Sequence, residues 1–528
     1  MSEKGSENKS IARSAGLVSL LTLVSRVLGL TRDAVIAAFF RKGGTDAFFV
    51  AFTIPNVLRR LLAEGSLTVA FIPVFTEYRE KHGEDEARLL VRSTLGVAML
   101  ALVLVSALGM LAAPWLVHGF AHGLARDPHK LALTVLLTRV MFPFLITVGL
   151  TALAMGVLNT YRHFAAPAFA PVLLNICIIS CVAALSGSMA GWGWPRTMAV
   201  ACGVLVGGVA QLLLQLPVLR GKGMLVAPRL GFSHPGVRRI LRLMGPSVFA
   251  LAIYQINVML ARLLASFLAE GSISYVYYAQ RLIEFPIGIF AVALATVSMP
   301  SLSAQATAGD IDQVKRTFGY ALRLVFFVML PATAGLAALG LPLTAMLFQR
   351  GRYTHDMAQQ TAFTLLGFTT GLWAAGGVRQ AQQVYYAMQD TRTPVIVSFV
   401  SLCVFSASGF LLYKPLGTFG LALAVSLASS VNFVILVAVL RRRMGALGLR
   451  SVGLSALRAT LAAAPCGAAA WAIARLGDWT LGARSLTNIA LLLGAVVAGI
   501  VIYIGLARLL GSRELGELYG AVRRRRKR

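Results

Sequence analysis

Residues 44–52 read GTDAFFVAF and residues 271–279 read GSISYVYYA, and the spacing between these two stretches decides how the chain is organised. Gly44 and Gly271, Pro73 and Pro300, and Pro167 and Pro394 are each 227 residues apart. Gly149 with Gly376, and Arg88 with Lys315, keep the same spacing. FIPVF at 71–75 and SMPSL at 298–302 close the second helix of each half. A single Gly match is expected by chance in a chain with 50 glycines, but several matches at one offset mark an internal repeat. The chain reads as two six-helix halves followed by two further helices.

The composition is that of a membrane protein. Of 528 residues, 57% are hydrophobic and only 13% charged, with a mean hydropathy of +0.76, outside the range of soluble domains. A spanning helix needs roughly 20 mostly apolar residues, and such windows recur from Ala15 to Leu510. They do not alternate apolar with polar, which excludes a barrel. Helices are expected near 15–40, 46–75, 92–117, 131–158, 165–186, 197–219, 238–268, 272–302, 317–340, 357–388, 393–413, 417–440, 453–475 and 485–509, an all-α polytopic protein of about fourteen transmembrane helices. The expected divisions are an N-terminal segment 1–14, an N-lobe 15–220, a linker 221–237, a C-lobe 238–440, a final helix pair 453–509 and a basic tail 510–528. Six spans per repeat preserve orientation, so the halves are parallel repeats about an axis along the membrane normal, with a cavity between them. That plan suits alternating access. The first apolar run is too long for a signal peptide, contains Arg26 and Arg32 and lacks a small-residue cleavage site, so it reads as a retained helix.

The net charge of +29, from 49 Lys+Arg against 20 Asp+Glu, would suggest nucleic-acid binding in a soluble protein. Here no nucleic acid is needed to explain it. The basic residues gather in alternate loops: the N-terminus, 79–92, 162, 220–242, 315–323, 392, 441–458 and the tail. Positive-inside bias then puts both termini and the 220–242 loop in the cytoplasm, and 118–130 and 341–356 outside. Anionic lipids are the expected partners of these loops and of the run Arg523 to Arg528. Cys177, Cys181, Cys202, Cys403 and Cys466 all lie in apolar runs without metal-ligand spacing. His118, His122 and His129 share one external loop, again without ligand spacing. No nucleophile–base pair, phosphate loop or ATP-binding domain stands out, so the expectation is a transporter, not an enzyme, with no cofactor and no metal.

Nine arginines fall within expected spans: Arg26, Arg32, Arg59, Arg60, Arg139, Arg262, Arg281, Arg379 and Arg508. An arginine at mid-bilayer costs at least about 2.5 kcal/mol and therefore faces protein or an aqueous cavity. Arg139 and Arg508 lie near span ends, where snorkelling explains them. Arg60 has Glu64 at i,i+4 and Arg281 has Glu284 at i,i+3, so helical ion pairs are expected there. Embedded acids are few, namely Asp33, Asp46, Glu64 and Glu284, which leaves a cationic surplus and implies an anionic ligand. The planar guanidinium fork suits phosphate, so a lipid pyrophosphate fits. Gly29, Pro55, Gly65 and Pro286 lie in the same helices, where they either permit bends or serve ordinary helix packing.

SRVLGLTRDAVIAAFF at 25–40, followed by TDAFFVAFTIPNVLRRLLAEGSLTVAFIPVFTEY at 45–78, closely resembles the N-terminal signature of the MurJ/MviN lipid II flippases, a branch of the multidrug/oligosaccharidyl-lipid/polysaccharide exporter superfamily. YYAQRLIEFPIGIFAVALATVSMPSLS at 277–303 resembles the family's eighth helix, and QDTRTP at 389–394 its DTKTP-like turn. The resemblance implies a V-shaped pair of lobes, a cationic central cavity, a groove from the last two helices for a polyprenyl tail, and lipid II as the substrate. It also implies a bacterial cytoplasmic-membrane location and the cell-wall synthesis machinery as a partner class. By motif, the family's functional arginines fall on Arg26 in SRVLG, Arg32 in TRDA, Arg59 in PNVLRR and Arg281 in AQRLIEFP. Asp46 in TDAFF and Asn56 in PNVLRR match further family positions. Gln280 departs from the acid that relatives often carry there. Some relatives bind sodium in the C-terminal lobe, but QINVMLARLLASFL at 255–268 offers no acid, so no such site is expected.

Three alternatives stay open on the residues alone. A flippase for another lipid-linked oligosaccharide shares the cavity charge. A drug/cation antiporter should display uncompensated acids, and a membrane glycosyltransferase should carry acidic catalytic residues in a larger loop. Within the flippase reading, Arg59 and Arg281 are expected to hold one anionic group together: Arg281 is the repeat-equivalent of Ile54, five positions from Arg59, or about 7.5 Å of helix rise.

Overall fold

The computed structural model describes residues 2–517, with the side chains of 2–15, 63–66, 69, 249, 250 and 254 outside the description. Every regular element among the described residues is helical. A bilayer demands this, because a helix satisfies its own backbone N–H and C=O groups where water cannot. Nine of the helices among the described residues are long and apolar enough to cross a membrane. The number is ten if Pro235–Val248 and Leu251–Ser266, which meet at 41°, count as one span. The protein is a multi-pass membrane protein, and it divides into two compact units, Met1–Glu270 and Gly271–Arg528.

The first unit contains α1 (Ser2–Phe39), α2 (Lys42–Leu58), a π-helical turn (Arg59–Gly65), α3 (Ser66–Leu111), α4 (Ala113–Phe120), α5 (Pro128–Met141), α6 (Phe144–Thr160), α7 (Ala165–Gly191), α8 (Met198–Gly221) and α9 (Pro235–Ser266). α3 breaks at Gly83, whose φ of +88° an L side chain rarely adopts, so its 46 residues run in two directions. Asp127 accepts from the backbone N–H groups of His129 and Lys130 and so caps α5, with Pro128 in the first turn. α7 packs closely on α1 and α8. A Cβ at Gly203 of α8 would come 2.7 Å from the Ile178 Cα of α7, the small-residue contact that lets membrane helices approach.

The repeat assigns 238–268 to the second half, yet by packing α9 sits with the first unit. Val237 and Ile240 in its first turns are buried with Phe71, Phe75 and Leu90 of α3. At that end the Arg239 guanidinium meets Glu77 at 2.8 Å. At the other end Ser266 Oγ accepts from the Gly123 N–H at 3.0 Å, and Glu270, just past the helix, meets Lys130 at 2.9 Å.

The second unit contains α10 (Ser272–Pro286), a π-helical turn (Ile287–Ala291), α11 (Val292–Thr307), α12 (Ile311–Ala338), α13 (Gly340–Phe348), α14 (His355–Thr369), α15 (Leu372–Ala387), α16 (Arg392–Met444), α17 (Leu449–Ala474) and α18 (Leu486–Leu509). α16 breaks at Gly417, with φ +58°. α17 packs on α12 and α18, and the Tyr503 hydroxyl of α18 donates to the Phe327 carbonyl of α12 at 2.6 Å.

Landmarks in the two units recur at one spacing. α4 and α13 begin at 113 and 340, α5 and α14 at 128 and 355, α7 and α16 at 165 and 392, each pair 227 apart. Among the described residues, the two non-glycine residues with positive φ are Arg162 (56°) and Gln389 (59°), again 227 apart. The π-turns begin at 59 and 287.

Candidate functional site

The site begins with α1 and its contact with α7. Ser25 and Arg32 are seven residues apart, about two helical turns, and so share a face. That face meets Asn175 of α7: the Asn175 amide donates to the Ser25 carbonyl at 3.2 Å and its Oδ1 accepts from Arg32 Nη1 at 3.2 Å. Arg32 Nε and Nη2 both donate to Asp33 Oδ1, at 3.0 and 2.6 Å. The Asp33 side chain is fully buried and that of Arg32 is 13% exposed. The charge of Arg32 is therefore matched within its own helix, and the Arg32–Asp33–Asn175 group fastens α1 to α7. Arg26 lies about a third of a turn away from that face and is half-buried. No carboxylate is paired with it among the described residues.

α2 supplies the next residues. Asp46 is 4% exposed, in a stretch buried on every side. Pro55 lies inside the helix and brings no N–H to its ladder, and four residues after it the register widens into the π-turn that starts with Arg59. Asn56 and Arg59 are i,i+3 neighbours on one face. Both are half-buried, and the Asn56 Oδ1 is buried with no hydrogen-bond partner among the described residues. Arg60 is exposed; the side chain of its expected partner Glu64 lies outside the described residues, as does the run Arg523 to Arg528.

In the second unit Arg281 and Gln280 of α10 both reach Glu284, at 3.4 Å each, long contacts on a half-exposed carboxylate. The amide at 280 thus supports the carboxylate where an acid would repel it. The π-turn that follows is held by Gln380 of α15, buried, whose amide donates to the Ala291 carbonyl at 2.9 Å. Arg139 and Arg508 are exposed near helix ends. Asn175 and Gln380 were not singled out by the sequence analysis. The available signal was an isolated amide in an apolar run, as in FAPVLLNICIIS at 169–180.

The QDTRTP turn between α15 and α16 is a built corner. Asp390 accepts from the Thr393 N–H and hydroxyl, at 2.9 and 2.6 Å, and from Arg443 at 2.5 Å, 53 residues on. Burial would raise the Asp390 carboxyl, but Thr393 and Arg443 outweigh it and hold it at about 2.

Residues 35–490 match the family described as Lipid II flippase MurJ. The probable lipid II flippase MurJ of Vibrio cholerae is 36% identical over 96% of this chain and 97% of its own length. The lipid II flippase MurJ of Burkholderia cenocepacia is also 36% identical, over 97% of this chain and 98% of its own. Among solved structures, lipid II flippase MurJ in an inward closed conformation superposes with a TM-score of 0.77 at 23% identity, covering 93% of this chain and 98% of that one. An inward-facing multidrug resistance MATE family transporter of the MOP superfamily gives a TM-score of 0.67 at 13% identity, covering 82% and 99%. At those identities the two structures speak for the fold alone. The sequence matches run nearly end to end and include the segments carrying Asp46, Asn56, Arg59 and Arg281, and on them the chain belongs to the MurJ family of lipid II flippases.

Proposed function

We propose that this protein moves lipid II, the undecaprenyl-pyrophosphate-linked peptidoglycan precursor, from the inner to the outer leaflet of the bacterial cytoplasmic membrane by alternating access. The observation that carries the reading is a set of half-buried arginines, Arg26, Arg59 and Arg281, within apolar helices of a chain that belongs to this family. Arginines within membrane spans normally face protein or an aqueous cavity, and the guanidinium fork matches a pyrophosphate. Arg26, Arg59 and Arg281 are the proposed head-group ligands, with Asn56 beside Arg59 and Asp46 in the same helix. Arg32 joins them through the α1–α7 fastening, and Arg60, Glu64 and Glu284 set the local charge balance.

The finer architecture in this reading is fourteen spans, arranged as two parallel six-helix repeats and a final pair, with lobes 15–220 and 238–440 and both termini cytoplasmic. Its support is the common spacing of 227 in helix starts and in the positive-φ residues Arg162 and Gln389. The basic loops support the orientation.

The deciding experiment is depletion of the protein in its host, followed by scoring which membrane face holds the accumulated lipid II. Accumulation on the inner face is expected. Accumulation on the outer face overturns the reading.

A further inference from the structure

Within the first unit, a cavity of about 180 Å³ opens between α3, α6 and α8, beneath the segment Met224–Pro228. Its walls are apolar, with Leu95 and Met99 from α3, Leu150 and Ala154 from α6, and Leu216 from α8. Apolar slots between helices normally close by repacking. The roof of this one is strapped from outside. The Arg229 N–H donates to the Arg92 carbonyl at 3.1 Å and Arg88 Nε to the Gly223 carbonyl at 3.0 Å. At Gly96 the strap runs so close that a Cβ would collide with the Arg229 carbonyl.

The rim is cationic. Arg92 directly follows the lining residue Val91, Arg229 directly follows the lining residue Pro228, and Arg220 follows Leu219. All three are exposed, and none has an ion-pair partner among the described residues. Nearby arginines do have partners: Arg88 meets Asp85 at 3.1 Å and Arg239 meets Glu77 at 2.8 Å. The backbone bond between Arg229 and Arg92 sets two exposed arginines, neither ion-paired among the described residues, side by side next to lining residues of the slot.

We propose that this slot holds an acyl chain of an anionic glycerophospholipid whose phosphate rests on Arg92 and Arg229. A chain leaving the bilayer for an apolar slot gains little from burial, since lipid tails are as apolar as leucine. Selectivity therefore comes from the head group, and an arginine pair supplies it by bidentate contact with phosphate oxygens. At about 30 Å³ for a water-sized group, the slot accommodates roughly six methylenes, part of one linear chain. The methyl branches of a polyprenyl tail make a bulkier occupant. The inference does not depend on what the protein transports.

The test uses the full-length protein in phosphatidylcholine nanodiscs doped with phosphatidylglycerol that carries a diazirine on its acyl chain, with adducts mapped by mass spectrometry. Adducts are expected on Met99, Leu150 or Leu216. Arg92→Gln and Arg229→Gln should each lower the yield about fivefold, the effect of one basic residue at a lipid surface. Ala154→Phe, which fills the slot, should remove the adducts, and Leu216→Phe serves as a second filling variant. Equal labelling by a phosphatidylcholine version of the probe, or yields unchanged in both arginine variants, overturns the proposal, because the slot is then ordinary bilayer contact. Displacement of the label by an equimolar amount of undecaprenyl pyrophosphate also overturns it, because the occupant is then the tail of the transported lipid.

Discussion

The arms around the two π-turns have nearly the same backbone and different chemistry. In the first unit the π-turn opens on Arg59 itself, with Asn56 one turn before it. In the second, the turn Ile287–Ala291 carries no charge; its arginine lies six residues earlier and shares Glu284 with Gln280. A proline precedes or enters each turn, Pro55 in α2 and Pro286 in α10, so the widened register has a local cause in both. The comparison teaches that two arms of similar backbone can carry their arginines at different points along the helix.

The comparison breaks most visibly in transport. Arg26→Ala should abolish rescue of a depleted host with the protein inserted at normal level, because among the described residues no carboxylate is paired with Arg26. Normal growth would remove it from the ligand set. Next comes lipid II binding by purified Arg59→Ala, Arg281→Ala and the double variant at fixed ionic strength. Each single change should weaken binding about tenfold, the worth of one charge-assisted hydrogen bond, and the double should be little worse than either single. Strictly additive losses would mean that the two arms hold different things.

A third experiment asks how firmly the first unit fixes its arginine. Asn175→Ala leaves Ser25 and Arg32 without their common partner and should cost about 1–2 kcal/mol, read as a lower unfolding temperature in detergent. An unchanged transition would reduce the α1–α7 fastening to a passive contact. A smaller effect is expected at the α15–α16 corner, where Arg443→Gln should cost about 1 kcal/mol because that arginine is half-exposed. The sign with pH is fixed: the Asp390 carboxyl is depressed from 3.8 to about 2, so its contribution is present above the ordinary value and fades as pH falls toward 2. The variant should show a weaker acid dependence over that window than the parent. Smallest of all, Arg508→Ala should be nearly silent in growth, as an exposed residue at the end of α18.

The all-helical membrane fold could be read in advance, because long apolar runs leave a chain little choice in a bilayer. The lodging of α9 with the first unit was not legible. A spacing in sequence counts residues, whereas packing is decided by which side chains, here Val237 and Ile240, find a core. Asp33 is one of the few embedded acids in the sequence, but adjacent residues on a helix point in different directions and do not face each other. A long guanidinium nevertheless folds back onto Asp33, a contact that spacing rules do not anticipate. Asn175 acts on residues 143 and 150 positions away, a distance no local pattern encodes.

α9 is, in mechanical terms, a beam pinned at both ends. Arg239 holds one end to α3, while Ser266 and Glu270 hold the other to the segment around Gly123 and Lys130. Midway, Pro246 deletes one rung of the hydrogen-bond ladder just before the two halves meet at 41°. Sliding such a beam along its axis strains both pins together. Flexing it strains neither, so the compliance of α9 is concentrated at its bend, and the stiffness of its ends sets how far that bend can travel.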